Sequence, residues 1–478
     1  MAWDTGLEGS ALNIASTNDS PLRVVAGPGT GKSFALKRRV ARLLEEGASP
    51  RRILALTFTR NAAASLVEDL CGLGISGCDR IRAGTLHAYC YSLLAKQEVF
   101  DYLGRTPRPL MYFNKSGVMQ FEGAPLLQDL CGIGTFGGKR DCTKRIRAFE
   151  AAWARLQSDE PGWAIQPTDQ AFHYNLVEWL TFHNSILIGE LIPLALRYLR
   201  DNPASPELAC FDHVLVDEYQ DLNKAEQVLI DLLSGTSTQT LVGDPDQSIY
   251  SFRHAHPLGI MNFADSHPGT HDEALVECRR CPSLAVTIAD SLIKHNYHPT
   301  EPPRLHPMLG NPVGEISIVQ WSNPTAEANG IAEFCHHLVH RRGYCPSEIL
   351  VLTPRRLLGY GIRDALRTYD IEAYSFYHEE ILDSLDAQKQ FALLALLSRP
   401  DDRVALRYLL GLGSPSWNSG QYERLRLKCN ENGLSPWEVL EGLVDGTFTI
   451  VNTKRLMKRY NEIREELEHI RNLRGYAL

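Results

Sequence analysis

No stretch of this 478-residue chain reaches the roughly eighteen consecutive apolar residues that a membrane-crossing helix needs. The opening Met1-Ala-Trp-Asp-Thr-Gly6 has neither a basic region nor an apolar core, so no secretory signal is expected. Eleven cysteines are scattered without framework spacing, which predicts reduced thiols in a cytoplasmic protein. The C-x-x-C at Cys278-Arg-Arg-Cys281 has no second pair at a metal-finger distance, and reads as two unrelated thiols. The histidines show no H-E-x-x-H pattern and are assigned no metal. Long repeats and low-complexity tracts are absent. Positive charge is also in deficit, with 49 Lys and Arg against 57 Asp and Glu, a net charge of −8. That excludes a uniformly basic surface, but leaves room for a local basic groove along a nucleic acid.

What is present begins with size. The chain is too long for one ordinary core and predicts three or four domains; 44% hydrophobic residues is the composition of a globular protein. Near its start lies Leu22-Arg-Val-Val-Ala-Gly-Pro-Gly-Thr-Gly-Lys-Ser33, an apolar strand followed by a glycine-rich turn and a helix. Backbone N–H groups in such a turn curl around a phosphate, with the positive end of the next helix behind them. The cradle comprises Ala26, Gly27, Pro28, Gly29, Thr30, Gly31, Lys32 and Ser33. Lys32 is placed to reach the β- and γ-phosphates, and the Ser33 hydroxyl to ligate Mg²⁺. Ala26 stands where the G-x-x-x-x-G-K-[ST] pattern has glycine, so the loop alone is also compatible with a chance match.

The surrounding pattern argues for the nucleotide. A helix over 34–46, a strand over 52–57, a helix over 61–70, a strand end at 82–87 and a helix over 88–94 alternate as in a parallel α/β sheet. From about Val99 to Pro206 the alternation stops, and a helical insertion anchored by Trp153, Trp163 and Trp179 is predicted. Its basic run Lys139–Arg147 reads as a solvated helix face ahead of a phosphate contact. Alternation resumes with a strand at Phe211–Asp217, a helix over 224–233 and strands at Gln239–Gly243 and Ala274–Glu277. Pro299–Pro312 reads as a linker. Strands at Glu315–Gln320 and Glu348–Thr353, with a helix near 326–341 between them, predict a second α/β unit, and the chain beyond about 385 is helical and charged. The fold class is thus α/β: a P-loop domain over 1–98 and 207–281, a helical insertion over 99–206, a partial second α/β domain over 282–395, and a helical segment over 396–478.

Hydrolysis needs a carboxylate for the metal and another for the attacking water, both at a strand's C-terminal end. Val214-Leu-Val-Asp217-Glu218-Tyr-Gln-Asp221 supplies Asp217 for the first task and Glu218 for the second; alone, such a string is as often a strand end meeting solvent. Leu241-Val-Gly-Asp-Pro-Asp-Gln247 follows the third strand, where Gln247 can hydrogen-bond the γ-phosphate or its water. Tyr250, Phe252 and Arg253, just beyond, are of the types that stack bases and contact phosphate.

Five strings then occur in order: Ala26–Ser33, Leu56-Thr-Phe-Thr-Arg-Asn-Ala-Ala63, Gly84-Thr-Leu-His87, Val216–Asp221 and Val242–Tyr250. They resemble motifs I, Ia, Ib, II and III of the UvrD/Rep-type superfamily 1 helicases. Leu275–Pro282 is similar to motif IV. The resemblance covers roughly residues 1–410. It implies a RecA-like first domain, a partial second RecA-like domain, a C-terminal segment that starts a 2B-like insertion, and ATP with Mg²⁺ in the cleft between the RecA-like domains. By position it implies Lys32, Glu218, Gln247 and Arg280 in catalysis, Arg279 beside the base, and Ser33 with Asp217 on the metal. Thr57, Phe58, Arg60, His87, Tyr250, Phe252 and Arg253 would line a single-strand path. The implied activity is 3′→5′ ATP-dependent movement on single-stranded or partly duplex DNA, in repair, recombination or defence, with no membrane involved.

Departures accompany the resemblance. Ala11 stands where the family has an adenine-reading Gln, Arg279 replaces a stacking aromatic, and Phe252 replaces a Trp. No match to motifs V and VI is found, so the sequence is read as an N-terminal fragment, a natively short protein, or one whose ATP site a partner completes, with a truncated or split reading frame the expectation. The alternative is an ATP-binding DNA-association module without processive unwinding. A P-loop kinase stands third, since kinases lack the Gln247 element.

Overall fold

The apolar runs over 53–56, 213–216 and 238–243 form the centre of one sheet and are buried almost throughout, as central parallel strands covered on both faces require. In chain order the elements are α1 (Gly9–Ser16), β1 (Leu22–Ala26), α2 (Lys32–Glu45), β2 (Ile53–Leu56), α3 (Arg60–Gly72), β3 (Arg82–Gly84) and α4 (Leu86–Leu94). A two-strand ribbon, β4 (Asn114–Lys115) and β5 (Val118–Met119), precedes β6 (His213–Val216), β7 (Thr238–Gly243), β8 (His271–Leu275), β9 (Glu277–Cys278) and β10 (His306–Pro307). The computed structural model describes residues 3–297, 304–374, 382 and 384–473. It divides into two compact units, 1–314 with 392–478, and 315–391.

The main sheet has six strands in the order β3-β2-β6-β7-β1-β8. All its pairings are parallel, with Val24 opposite Val242 and Leu54 opposite Val214. This is a RecA-like arrangement. Ile53, Leu54, Ala55 and Leu56 are all buried, with one core on each face of the sheet. The side chains of Thr59 and Thr85 accept from the N–H groups of Ala62 and Ala88 and so start α3 and α4; such caps contribute about 1 kcal/mol each. Both helices therefore begin directly at the sheet's C-terminal edge.

The insertion is helical apart from the β4–β5 ribbon, as expected, and Trp153 and Trp179 are buried in its core with Trp163 packed against them. Lys144 and Arg147 of the basic run are exposed on the helix Lys139–Ala154. The C-terminal helices pack on this insertion: Val404 joins its core, and the fully buried Arg407 guanidinium donates to Asp129 at 2.6 and 2.9 Å.

Three expectations are corrected. Cys71 and Cys78 are joined by a disulfide, because the turn after α3 brings their Cα atoms to 5.6 Å. The described part of the expected linker, 304–312, is packed rather than free: β10 pairs with β9, and Leu305 is buried. The strands expected at 315–320 and 348–353 form no ladder among the described residues. Their alternate apolar side chains face solvent, with Ile318 at 96% and Leu352 at 84% exposure, so no partner strand rewards pairing there. The core of unit 315–391 comes instead from the helices Pro324–Arg342 and Arg356–Arg367. No helix of the described residues is long and apolar enough to cross a membrane.

Candidate functional site

Parallel strands end on one edge, so the segments that follow β3, β2, β6, β7, β1 and β8 line up there in that order. Between β1 and α2 the turn takes left-handed backbone at Gly29 (φ 70°) and Gly31 (φ 95°). Ala26 is the last residue of β1, fully buried and extended, so that position needs no glycine. Thr30 Oγ1 donates to the Gly27 carbonyl at 2.8 Å and tightens the turn. Gly29 is irreplaceable for a second reason: a Cβ there would lie 2.8 Å from Cys278 Sγ and 3.0 Å from Arg280 Cβ. The N–H of Arg279 donates to the Gly29 carbonyl at 2.9 Å. Arg280 is therefore beside the turn, while Arg279 is half-exposed, 3.8 Å from Glu277.

Across the edge, Lys32 Nζ donates to Glu218 Oε2 at 2.9 Å, and Ser33 Oγ donates to Asp217 Oδ2 at 3.3 Å. Glu218 sits in left-handed backbone (φ 53°), a conformation that costs a non-glycine residue about 1 kcal/mol and recurs at functional sites. Burial, and then the neighbouring Glu218 charge, push the Asp217 carboxyl up to about 6. A buried carboxylate beside a hydroxyl, awaiting positive charge, is a donor set for a hard cation that keeps most of its ligands as water or phosphate oxygen. No group of three metal-ligating side chains occurs among the described residues.

After β7, Asp244 organises the loop: its Oδ1 accepts from the Asp246 N–H at 3.1 Å and its Oδ2 from Gln247 Nε2 at 2.7 Å. Gln247 thus joins the cluster by way of Asp244. Three residues that the motif reading gave no role also converge here. Gln220 bridges Glu218 to Asp244. Tyr297 hydrogen-bonds Asp246, and Arg304 pairs with Asp246 at 3.1 Å while stacking over Tyr297. Tyr297 lies just before the stretch read as a linker and Arg304 lies within it, where spacing carries no signal of their partner.

Toward β2 and β3 lies an aromatic strip. Phe58 and Tyr250 have ring centroids 4.9 Å apart, Tyr250 and Phe252 5.7 Å, and the Arg253 guanidinium covers Phe58 at 4.7 Å. Phe252 is 73% exposed. Phe58 and Tyr250 are half-buried; a partly exposed aromatic run with a cation above it can stack bases and meet phosphate. Arg60 is exposed at the start of α3 without a hydrogen bond or ion pair among the described residues. Thr57 is buried, and its hydroxyl is turned to the Thr59 carbonyl at 2.9 Å. His87 Nδ1 lies 3.5 Å from Glu226 Oε1. This is not an ion pair near neutral pH: burial, then Arg253, push the imidazole down to about 4, and burial pushes the Glu226 carboxyl up to about 7.

A parallel sheet with a phosphate turn after one strand and paired carboxylates after another defines a P-loop nucleotide-binding domain. The family described as AAA domain matches residues 10–253, just over half of the chain, and the chain belongs to it. Its relatives are of the UvrD/Rep type. It is 24% identical over 99% of its length to ATP-dependent DNA helicase PcrA of Bacillus subtilis (strain 168), covering 63% of that protein. It is 25% identical over 90% of its length to PcrA of Leuconostoc citreum, covering 58%. To ATP-dependent DNA helicase UvrD1 of Mycobacterium tuberculosis (strain ATCC 25618 / H37Rv) it is 26% identical over 94%, covering 60%. The chain thus spans about three fifths of the length of these relatives.

Proposed function

We propose that this chain binds and hydrolyses ATP in response to single-stranded DNA and uses the cycle to move 3′→5′ along the strand. The observation that carries the reading is the pair of contacts Lys32–Glu218 and Ser33–Asp217, which unites the phosphate turn with two carboxylates on one sheet edge. Ser33 and Asp217 are the residues that would hold Mg²⁺, which when bound would neutralise charge on the phosphates. Lys32 exchanges its partner Glu218 for phosphate oxygen. Both hydrogen bonds to Glu218 fall on Oε2, which leaves Oε1 to accept the proton of the attacking water. Gln247 and Arg280 stand for the γ-phosphate, and Arg279 for the base. Phe58, Tyr250, Phe252 and Arg253, with Thr57, Arg60 and His87 around them, form the strand's seat. The test is phosphate release from ATP with and without a single-stranded oligonucleotide. Lys32→Ala should abolish turnover. Retained turnover would overturn the reading.

One observation favours a second reading, a DNA-association module without processive unwinding. In unit 315–391 the apolar segments 315–320 and 348–353 stand unpaired among the described residues. A second RecA-like domain would then depend on strands from another segment or partner. Unwinding of a partly duplex substrate by this chain alone would exclude that reading.

A further inference from the structure

Gln220 sits in the motif around the carboxylates, yet the chemistry above gives it no task. It is 1% exposed. Its side chain spans two functional segments: Nε2 donates to Glu218 Oε2 at 3.0 Å, and Oε1 accepts the Asp244 N–H at 2.9 Å. The amide's orientation is fixed by its partners, since a carboxylate can only accept and an N–H can only donate. A weaker contact runs from Nε2 to Asp221 Oδ2 at 3.4 Å. The backbone carbonyl of Gln220 accepts from Ser248 Oγ at 3.2 Å. Its approach is close enough to demand glycine opposite: a Cβ on Gly243 would lie 2.5 Å from Gln220 Oε1. One buried residue therefore holds the carboxylate on one side and both ends of the Asp244–Ser248 turn on the other. Ser248 is two residues from Tyr250, where the aromatic strip begins.

We propose that Gln220 is a positioning residue that ties the orientation of Glu218 to the loop Asp244–Arg253, so that a nucleic-acid strand on Tyr250, Phe252 and Arg253 is registered at the carboxylate. The proposal rests on the ATP-hydrolysing reading. A buried amide bonded at both ends cannot shift at one without shifting or breaking the bond at the other, and an unmade buried bond is costly. Loop displacement thus reaches Glu218 without passing through the nucleotide. Gln247, by contrast, acts on the phosphate itself.

The experiment compares wild type, Gln220→Met and Ser248→Ala for three quantities: affinity for a fluorescent ATP analogue, affinity for an oligo-dT strand, and ATP turnover with and without that strand. Gln220→Met keeps the side chain's length and removes both bonds. It should keep both affinities and the ATP KM within about twofold while strand-stimulated kcat falls about tenfold. Ser248→Ala, which removes one half-buried hydroxyl bond to the Gln220 carbonyl, should lose about threefold of the stimulation. A merely structural role would lower binding and basal turnover together with the stimulation, and that result would overturn the proposal. So would unchanged stimulation in both variants. If Gln220→Met fails to fold, Ser248→Ala decides alone. A wild type without strand-stimulated turnover removes the parent reading and this one together, whereas a stimulated wild type with equally stimulated variants removes only this one.

Discussion

Asp217 shows how a single carboxyl is tuned by its place in the fold. Burial, and Glu218 beside it, raise its titration to about 6, against about 3.9 in an unfolded chain. A raised carboxyl contributes stability below the unfolded value and loses it as pH climbs through about 6. At pH 8, without a cation, Asp217 therefore works against folding. Asp217→Asn should stabilise the nucleotide-free protein at pH 8 by on the order of 2 kcal/mol and have little effect at pH 4, read as shifts in the denaturant midpoint. The same change should abolish Mg²⁺-dependent turnover. Gly29 tests the turn: Gly29→Ala faces both a φ of 70° and contact with Cys278 Sγ, and should weaken nucleotide binding at least about tenfold by titration. At this scale the motif strings were legible because they are local. Gln220 reaching Asp244 was not, since 24 residues separate them and the contact exists only after β6 and β7 pair.

At the scale of elements, what decides legibility is whether a segment's signals are contained within it. The helix Lys224–Leu233 has the bounds read from the sequence, because Asn223 and Glu226 form a capping box at its start. Strands β1, β2, β6 and β7 announce themselves as apolar runs beside turn residues. The apolar runs at 315–320 and 348–353 look the same in sequence, yet a strand exists only where a neighbour pairs with it. The linker reading failed for a related reason: Pro307 sits in β10, an edge strand of a two-strand pairing, where proline is tolerated. Between the helical insertion and the C-terminal helices, Asp129 also accepts from Trp179 Nε1 at 3.0 Å besides its bonds from Arg407. Arg407→Ala would leave that carboxylate without its cation, and should cost about 3–5 kcal/mol in chemical unfolding. Replacing Arg407 by Met and Asp129 by Asn together should recover much of the loss.

For the molecule as a whole, the sheet edge assigns different work to different strands. The phosphate turn and Arg280 follow β1 and β8, the carboxylates follow β6, and the aromatic strip is built from the segments after β2 and β7. Nucleotide chemistry and strand contact are thereby adjacent on one rigid scaffold. With a net charge of −8 and few cations on the strip, strand binding should depend weakly on salt. A log–log slope of roughly −2, from about three phosphate contacts, is expected in a fluorescence-anisotropy titration. The most direct measurement of the central claim is steady-state ATP hydrolysis by wild type and Glu218→Gln, each with and without single-stranded DNA. Wild type should show strand-stimulated turnover, and Glu218→Gln should lose it by about a thousandfold with ATP binding retained. Undiminished turnover in Glu218→Gln, or a wild type indifferent to the strand, would contradict that claim.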